Sequence, residues 1–177
     1  KDTDNWLLQI ECFDPHEPFH APKRFRDLYP TDYNGPILDW PIYDRVKETK
    51  EEISEIKANY ASLVTMVDEY FGKLLDYFDN NRLWDDTALI LTTDHGFLLG
   101  EHDWWAKNRM PVYNEIAHIP LMIYHPEFSS QGGSRRKTLT QSIDIMPTLL
   151  DLFNMKPPQD VAGKSLVKIL GKDEKIR

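Results

Sequence analysis

The stretch TALILTTDHG, residues 87–96, joins a short apolar run to an acidic residue, a histidine and a glycine. Residues 87–93 are rich in β-branched side chains and show no alternation of polar and apolar positions, which is typical of a strand in a parallel sheet covered on both faces. Residues 44–80, just before it, carry apolar side chains spaced as on an amphipathic helix. A helix that leads into such a strand predicts a βαβ unit, and therefore an α/β fold with a mostly parallel sheet flanked by helices.

Four further segments complete the expected architecture. NWLLQIECF, residues 5–13, is predicted to be a buried strand, and IPLMIYH, residues 119–125, a second one. Helices are predicted over residues 142–153 and 165–170. The irregular connection between the first strand and the long helix is rich in aromatic residues and in prolines, namely Pro15, Pro18, Pro22, Pro30, Pro36 and Pro41. The whole chain, residues 1–177, is expected to belong to a single domain.

Composition and charge exclude several classes of protein. The chain has 177 residues, of which 41% are hydrophobic and 28% charged, with a net charge of −8. This acidic balance argues against a nucleic-acid partner, because phosphate binding needs clustered Lys and Arg. No apolar run approaches the ~20 residues that cross a bilayer, so no membrane partner is expected. The single cysteine, Cys12, excludes an internal disulfide framework.

Asp94 and His95 lie where the predicted strand ends. In parallel α/β sheets, ligands bind beyond the carboxyl ends of the strands. A carboxylate and an imidazole on consecutive residues can both reach one cation if the alternation of side chains breaks down, and Gly96 permits that break. The alternative is that both side chains only cap the following turn. A hard divalent cation takes about six to eight oxygen-rich ligands, so further ligands would have to come from elsewhere.

Two cationic side chains are candidates for binding an anion near this strand end. Lys107 follows a loop with two tryptophans and could pair with a substrate oxyanion, although a lone lysine is more often a solvated surface residue. His16 lies between Pro15 and Pro18 and could donate a proton to an anion or a leaving group, or be an ordinary loop histidine. The remaining candidates are weaker: His20, His118 and His125. Of these, His118 and His125 flank a strand and are expected only to cap or pack.

Several motifs in the same order resemble those of type I sulfatases, a family within the alkaline phosphatase superfamily. TTDHGFLLGEHDWWAKN, residues 92–108, is similar to the family's T-S-D-H-G, L-G-E-H-G, W and G-K pattern, with Thr93, Asp103 and Ala106 where Ser, Gly and Gly are common. FDPHEPFHAPKRF, residues 13–25, resembles the family's P-H-x-P segment. SIDIMPTLLDLF and AGKSL resemble its downstream D-x-x-P-T and G-x-S-L signals.

The resemblance implies an alkaline-phosphatase-like α/β sandwich and hydrolysis of sulfate esters. It also implies residue roles. Asp94 and His95 would ligate Ca²⁺, or Mg²⁺ in some relatives, Lys107 would contact the sulfate, and His16 would bind the sulfate or assist the leaving group. The expected substrate is a sulfated small molecule or carbohydrate. Family members are frequently exported, so a periplasmic or extracellular location is plausible by resemblance, although no signal peptide is visible in KDTDNW.

The family's nucleophile has no match in this chain. It is a formylglycine made from the Cys or Ser of a C/S-x-P-x-R motif, and Cys12 in IECFDP lacks the Pro and Arg of that motif. The prediction is therefore that this chain is the C-terminal portion of a sulfatase catalytic domain and is inactive alone. Two alternatives remain at this point: a phosphate or phosphonate ester hydrolase of the same superfamily, and a non-catalytic α/β binding module. The oligomeric state is not predicted.

Overall fold

The computed structural model describes residues 4–177, and residues 1–3 lie outside the described part. Its elements in chain order are the helices and strands α1 (Lys23–Arg26), α2 (Lys50–Asn80), β1 (Leu89–Thr92), β2 (Leu98–Leu99), β3 (Trp105–Ala106), α3 (Asn114–Ala117), β4 (Leu121–Tyr124), α4 (Ile145–Leu152) and α5 (Val167–Gly171). Short 3₁₀ turns cover Leu83–Asp85, Glu101–Asp103, Pro126–Gln131 and Ser142–Asp144.

The chain divides into two compact units. The first, unit 1, consists of the N-terminal residues as far as Gln9 together with Leu83–Asp94 and Pro120–Arg177. The second, unit 2, consists of Ile10–Arg82 and His95–Ile119.

Helix α2 is the longest element of unit 2. It begins at a capping box: the Thr49 hydroxyl accepts from the Glu52 N–H at 3.3 Å, and the Glu52 carboxylate accepts from the Thr49 N–H at 2.8 Å. This reciprocal pair satisfies two N–H groups that would otherwise lack partners. The apolar spacing predicts a helix from residue 44. The capping box at Thr49 explains why the helix begins at Lys50 instead.

The core of unit 2 forms where the middle of α2 meets the segments before and after it. Helix α1 packs against α2, and the Phe19 ring makes edge contacts with Tyr60 at 5.1 Å and with Phe97 at 5.4 Å between centroids. The buried members of this cluster are Phe19, Ala21, Phe25, Ile56, Leu63, Trp105 and Ala106. Part of the irregular Pro-rich connection is therefore core.

Unit 1 contains an antiparallel strand pair and a cluster of short helices. β1 and β4 pair with Leu89 opposite Tyr124 and Thr92 opposite Leu121. The Tyr124 hydroxyl donates to the Trp84 carbonyl at 2.7 Å, which anchors the end of β4.

Asp144, at the start of α4, organises the helical part of unit 1. Its side chain is fully buried and accepts hydrogen bonds from the Gln141 N–H, the Lys164 N–H and both terminal nitrogens of Arg177. The Thr148 hydroxyl donates to the Asp144 carbonyl at 2.6 Å and accepts from the Leu166 N–H at 2.9 Å. The D-x-x-P-T and G-x-S-L motifs are therefore tied to each other by structural hydrogen bonds.

The α/β fold class is confirmed, but the predicted parallel pairing is not found among the described residues. Both strand pairs there, β1 with β4 and β2 with β3, are antiparallel. A parallel return needs a crossover element such as a helix. β4 instead runs antiparallel to β1, and the longest helix between the two strands is the four-residue α3.

The predicted strand over residues 5–13 is wrong for this structure. These residues form no strand, and several of their apolar side chains are exposed. Strand geometry is stabilised by a paired neighbour and a buried face, and neither is present for this segment in the described part of the chain. The predictions over residues 87–93 and 119–125 are confirmed as β1 and β4, within two residues at each end.

The helix predictions after the strands are also confirmed with small shifts. Residues 142–153 form a 3₁₀ turn followed by α4, and residues 165–170 overlap α5. Within residues 4–177, none of the helices has the length and apolar character required to span a membrane.

Candidate active site

The loop that presents Lys107 has an unusual backbone. Between Gly100 and Asn108, positive φ angles occur at His102 (57°), Asp103 (59°) and Ala106 (71°) as well as at both ends of this stretch. Non-glycine residues in the left-handed region are strained, and such residues cluster at functional sites.

The segment before α2 holds this loop in place. The Val46 N–H donates to the Asp103 carbonyl and the Trp105 N–H to the Asp44 carbonyl, each at 3.0 Å. The Trp105 indole N–H donates to a Glu48 carboxylate oxygen at 2.6 Å. Lys107 therefore follows a buried and well anchored strand, β3.

Lys107 is not a solvated surface residue. It is only 8% exposed. Its Nζ lies 3.8 Å from Glu17 Oε2 and 5.8 Å from the centroid of the Phe97 ring. A lysine in such surroundings is a compact positive charge held in place, which suits the binding of an oxyanion.

His16 approaches the same carboxylate. Its Nδ1 lies 2.7 Å from the Glu17 carbonyl oxygen and 3.4 Å from Glu17 Oε2, and its ring packs on Phe13 with centroids 4.3 Å apart. A carbonyl oxygen can only accept, so Nδ1 carries the hydrogen in this contact. Nε2 is then the ring nitrogen that can exchange a proton or bind an anion.

Glu17 joins these two residues, and the sequence prediction did not include it. Its side chain is fully buried, Oε1 accepts a hydrogen bond from the Tyr43 hydroxyl, and Oε2 has no hydrogen-bond partner. The available signal was its place in P-H-E-P, because an acidic residue held between two prolines in an aromatic-rich segment has little freedom to reach solvent. The structure thus brings the predicted residues His16 and Lys107 together around a third residue.

The two predicted metal ligands belong to different units of the fold. Asp94 is the last residue of a unit 1 segment and is exposed, whereas His95 begins a unit 2 segment and is half-buried. His95 Nδ1 lies 2.9 Å from the Gly96 carbonyl oxygen, so this nitrogen carries the hydrogen in that contact. Metal-binding histidines commonly donate their second N–H in this way.

Gly96 is required here by crowding and not by an unusual φ. A Cβ at this position would lie 1.8 Å from the Glu115 carbonyl oxygen. The Gly96 N–H also donates to the Ile116 carbonyl at 2.9 Å. The turn after His95 is therefore held against α3 by this hydrogen bond and by close packing.

The described residues do not form a complete site for a divalent cation. Across residues 4–177, no group of three or more His, Cys, Asp or Glu side chains is arranged to hold a metal. Asp94 and His95 can therefore supply only part of a coordination shell of about six to eight ligands.

The other histidines have local roles. The His102 ring stacks on Tyr113 with centroids 3.9 Å apart, and its Nε2 lies 3.2 Å from both carboxylate oxygens of Glu115. His125 Nδ1 accepts from the Glu127 N–H at 3.2 Å, which is a capping contact as expected. His20 is an exposed neighbour of Asp39, with its Nδ1 3.8 Å from Asp39 Oδ2.

Comparison with known proteins identifies the family. The family model described as "Sulfatase" matches residues 1–155. The chain therefore belongs to the sulfatase family, and the resemblance found in its motifs is confirmed.

Individual relatives agree with this assignment. The chain is 36% identical to an N-acetylglucosamine-6-O-sulfatase of Bacteroides thetaiotaomicron, over 99% of this chain and 30% of the relative. It is 35% identical to the multifunctional alkaline phosphatase superfamily protein PehA of Trinickia caryophylli, over 96% of this chain and 38% of that protein. The chain thus spans about a third of the length of these curated relatives.

A solved structure supports the fold. The crystal structure of a phosphonate monoester hydrolase of Agrobacterium radiobacter superposes with a TM-score of 0.73 at 25% identity, covering 91% of this chain and 37% of that one. The fold is accordingly alkaline-phosphatase-like.

Proposed function

We propose that this chain is part of the catalytic domain of a sulfatase that hydrolyses sulfate esters. The observation that carries this proposal is the convergence of His16 and Lys107 on the buried carboxylate of Glu17 in a chain that belongs to the sulfatase family. Hydrolysis of a sulfate ester develops negative charge and releases an alcohol. A lysine ammonium can stabilise that charge, and an imidazole can protonate the alcohol oxygen.

In this proposal, the residues of the chain bind and orient the ester. Lys107 presents N–H donors to a sulfate oxygen and stabilises the negative charge that develops there. Because His16 Nδ1–H contacts the Glu17 carbonyl, Nε2 is the ring nitrogen left for the substrate. When the ring is doubly protonated, Nε2–H can donate its proton to the departing alcohol oxygen, which leaves the neutral imidazole. Asp94 and His95 would hold part of the Ca²⁺ or Mg²⁺ shell, and the cation supplies a Lewis acid to the sulfate oxygens when bound.

The nucleophile and the remaining metal ligands are proposed to lie in other parts of the whole protein. The length comparison supports this, because the chain spans about a third of its curated relatives. A formylglycine is the nucleophile that the resemblance implies, and the chain contains no C/S-x-P-x-R motif. We expect the 177 residues alone to be inactive.

A sulfated carbohydrate is the proposed substrate. The support is the relative named as an N-acetylglucosamine-6-O-sulfatase, which is 36% identical over 99% of this chain. The net charge of −8 supports a small substrate over a nucleic acid. A location outside the cytoplasm is proposed on the same resemblance, and fractionation of cells that express the complete gene tests it.

Hydrolysis of a phosphonate or phosphate ester is the second candidate function. The specific observation in its favour is the structural match to a phosphonate monoester hydrolase with a TM-score of 0.73. A tetrahedral anion of either kind could bind between Lys107 and His16. The complete gene distinguishes the two, since a C/S-x-P-x-R motif favours sulfate.

The direct test measures turnover by the complete protein with 4-nitrophenyl sulfate and with a matched 4-nitrophenyl phosphonate ester. We expect faster hydrolysis of the sulfate ester and a loss of about 10²–10³-fold in kcat on Lys107→Ala, as for the removal of one oxyanion contact. Lys73→Ala is the control, because Lys73 is an exposed lysine of the same unit.

Three outcomes would contradict the proposal. A higher rate with the phosphonate ester would favour the second candidate. Absence of turnover with both esters would favour a non-catalytic binding module. Turnover by residues 1–177 alone, with the remainder rigorously absent, would contradict the incomplete-site proposal.

A further inference from the structure

The Glu17 carboxylate is the centre of a buried polar cluster in unit 2. The Tyr43 hydroxyl donates to Oε1, while Oε2 lies 3.4 Å from His16 Nδ1 and 3.8 Å from Lys107 Nζ. The Glu17 side chain has no exposed surface, whereas the His16 side chain is 33% exposed. The carboxylate therefore lies behind the two residues that can face an incoming anion.

Charge balance explains why an acidic residue is present at this position. An ionised carboxylate in the interior is strongly disfavoured unless it is paired, and the same holds for the ammonium of Lys107. At 3.8 Å, each charge offsets the burial of the other. The Tyr43 hydroxyl occupies Oε1, which leaves Oε2 directed at the cation and the imidazole.

We propose that Glu17 is a positioning residue, which fixes the Lys107 ammonium and the His16 ring in the orientation that the sulfate ester requires. This inference rests on the proposed function, because it concerns the two residues assigned there to the substrate. Glu17 does not touch the substrate, since its side chain has no exposed atoms.

The contacts of Glu17 leave specific groups for the substrate. An ammonium has three N–H donors, and the Glu17 carboxylate oxygen at 3.8 Å lies on only one side of it. The donors on its other sides remain for the oxygens of the ester. At His16, the Glu17 carbonyl and Oε2 both lie near Nδ1, which keeps the hydrogen on that nitrogen and assigns the substrate contact to Nε2.

A purely structural ion pair makes a different prediction from a positioning residue. If Glu17 only stabilised the fold, its loss would lower the unfolding temperature and leave kcat of the folded enzyme unchanged. If Glu17 acts through Lys107, its loss lowers kcat and has no further effect once Lys107 is absent.

The test compares Glu17→Gln, Lys107→Ala and the double variant in the complete protein, with 4-nitrophenyl sulfate as substrate. Glutamine keeps the shape of the side chain and an acceptor for Tyr43 while it removes the charge. We expect kcat to fall about 10²-fold in Glu17→Gln, the size expected for a misplacement of ~1 Å. KM should change less than about threefold, because the Lys107 charge that attracts the anion is retained.

In the Lys107→Ala background, Glu17→Gln should lower kcat by less than about twofold further, because the two residues act as one unit. Glu69→Gln is the matched control, since Glu69 also pairs with basic side chains, but at the surface of the same unit. An unchanged kcat in Glu17→Gln, or an equal loss with and without Lys107, would overturn the positioning role.

A second variant, Tyr43→Phe, tests the positioning role of Glu17 if Glu17→Gln does not fold. Tyr43→Phe removes only the hydroxyl that holds Oε1 and should lower kcat about threefold to tenfold, with no further loss in the Lys107→Ala background. A full additional loss there would overturn the inference. Wild-type protein that hydrolyses no ester would instead overturn the proposed function, so the two failures are distinguishable.

Discussion

The loop before Lys107 holds two residues at positions where sulfatases commonly have glycine. Asp103 and Ala106 have φ angles of 59° and 71°, so the resemblance and the geometry agree on why glycine is common there. A left-handed conformation costs an L-residue about 1–2 kcal/mol, and glycine avoids that cost. This chain therefore stores backbone strain on both sides of Trp105.

Replacing Asp103 with glycine should stabilise the protein. The relief of strain, about 1–2 kcal/mol, exceeds the extra entropy that glycine loses on folding, about 0.5–1 kcal/mol. Asp103 is exposed and loses no buried contact. We expect Asp103→Gly to raise the free energy of unfolding by about 0.5 kcal/mol in urea titrations.

Two other glycine substitutions serve as controls for this prediction. Ala106→Gly should be nearly neutral, because it also removes a buried methyl group worth about 0.8 kcal/mol. Asp76→Gly, at an exposed site inside α2, should destabilise by about 0.3 kcal/mol, the difference between Asp and Gly in helix propensity. Destabilisation by Asp103→Gly of the same size as Asp76→Gly would contradict the strain argument.

The sequence predicted His16 and Lys107 as individual site residues but not that both approach the carboxylate of Glu17. Their motifs are local, so they can be recognised without a fold. The sequence prediction missed Glu17 because its role depends on burial beside Lys107, which lies ninety positions further along the chain. No local sequence pattern predicts that these two residues are close in the fold. The tautomers of His16 and His95 likewise depend on backbone carbonyls whose directions only the folded chain defines.

At the scale of the elements, the helices α2, α4 and α5 and the strands β1 and β4 were predicted, whereas the shorter elements α1, α3, β2 and β3 and the direction of strand pairing were not. The apolar spacing identified α2 because it repeats over many turns, and the Thr49 capping box then set its first residue. Residues 5–13 have the composition of a strand but form none. Strand formation depends on a neighbour, which lies outside the information in one segment.

The hydrogen bonds around Asp144 hold two short sequence motifs together, D-x-x-P-T and G-x-S-L. Burial opposes ionisation of this side chain, but hydrogen bonds from Arg177 and from the Lys164 and Gln141 N–H groups hold the pKa of the Asp144 carboxyl below its ordinary value of 3.8. Gly163 is required beside it, since a Cβ there would lie 2.0 Å from the Ile143 carbonyl oxygen.

Replacing Asp144 with asparagine should destabilise the protein by an amount that depends on pH. Because the pKa is lower in the folded state, the ionised carboxylate stabilises the fold above about pH 4, and this contribution is lost as the pH falls through the folded pKa. At neutral pH, we expect Asp144→Asn to lower the free energy of unfolding by about 3 kcal/mol, since it breaks a buried ion pair.

Urea titrations of both proteins between pH 7 and pH 3 measure this difference. It should shrink towards the acid end of the series. Asp160→Asn, at an exposed position of the same unit, should change stability by less than about 0.5 kcal/mol at every pH. A difference for Asp144→Asn that stays constant with pH would show that the carboxylate charge is not responsible.

At the scale of the whole molecule, the proposed metal site is incomplete in this chain. Asp94 and His95 are its two proposed ligands, and residues 4–177 hold no group of three or more side chains that could bind a metal. The relatives are about three times longer than the chain. The missing ligands could therefore not be predicted from these residues, because a coordination shell is assembled from distant parts of a chain.

Metal content tests this reading independently of turnover. We expect the complete protein to bind about one Ca²⁺ at the site to which Asp94 and His95 contribute, and Asp94→Ala or His95→Ala to weaken its affinity at least about 10-fold. Calorimetry on chelator-treated protein measures this. His125→Ala is the control, because His125 only caps a turn in unit 1. Unchanged Ca²⁺ affinity in both ligand variants would exclude these residues from the site.

Residues 6–13 have a consequence for handling the chain in solution. Five large apolar side chains there are at least half exposed, namely Trp6 (50%), Leu7 (61%), Leu8 (66%), Ile10 (61%) and Phe13 (68%). Extended apolar segments without a partner strand recruit other chains edge to edge. Glu11 and Asp14 act as charged gatekeepers within and beside this segment. Without the charges of Glu11 and Asp14, we expect concentrated solutions of the 177 residues to aggregate through residues 6–13.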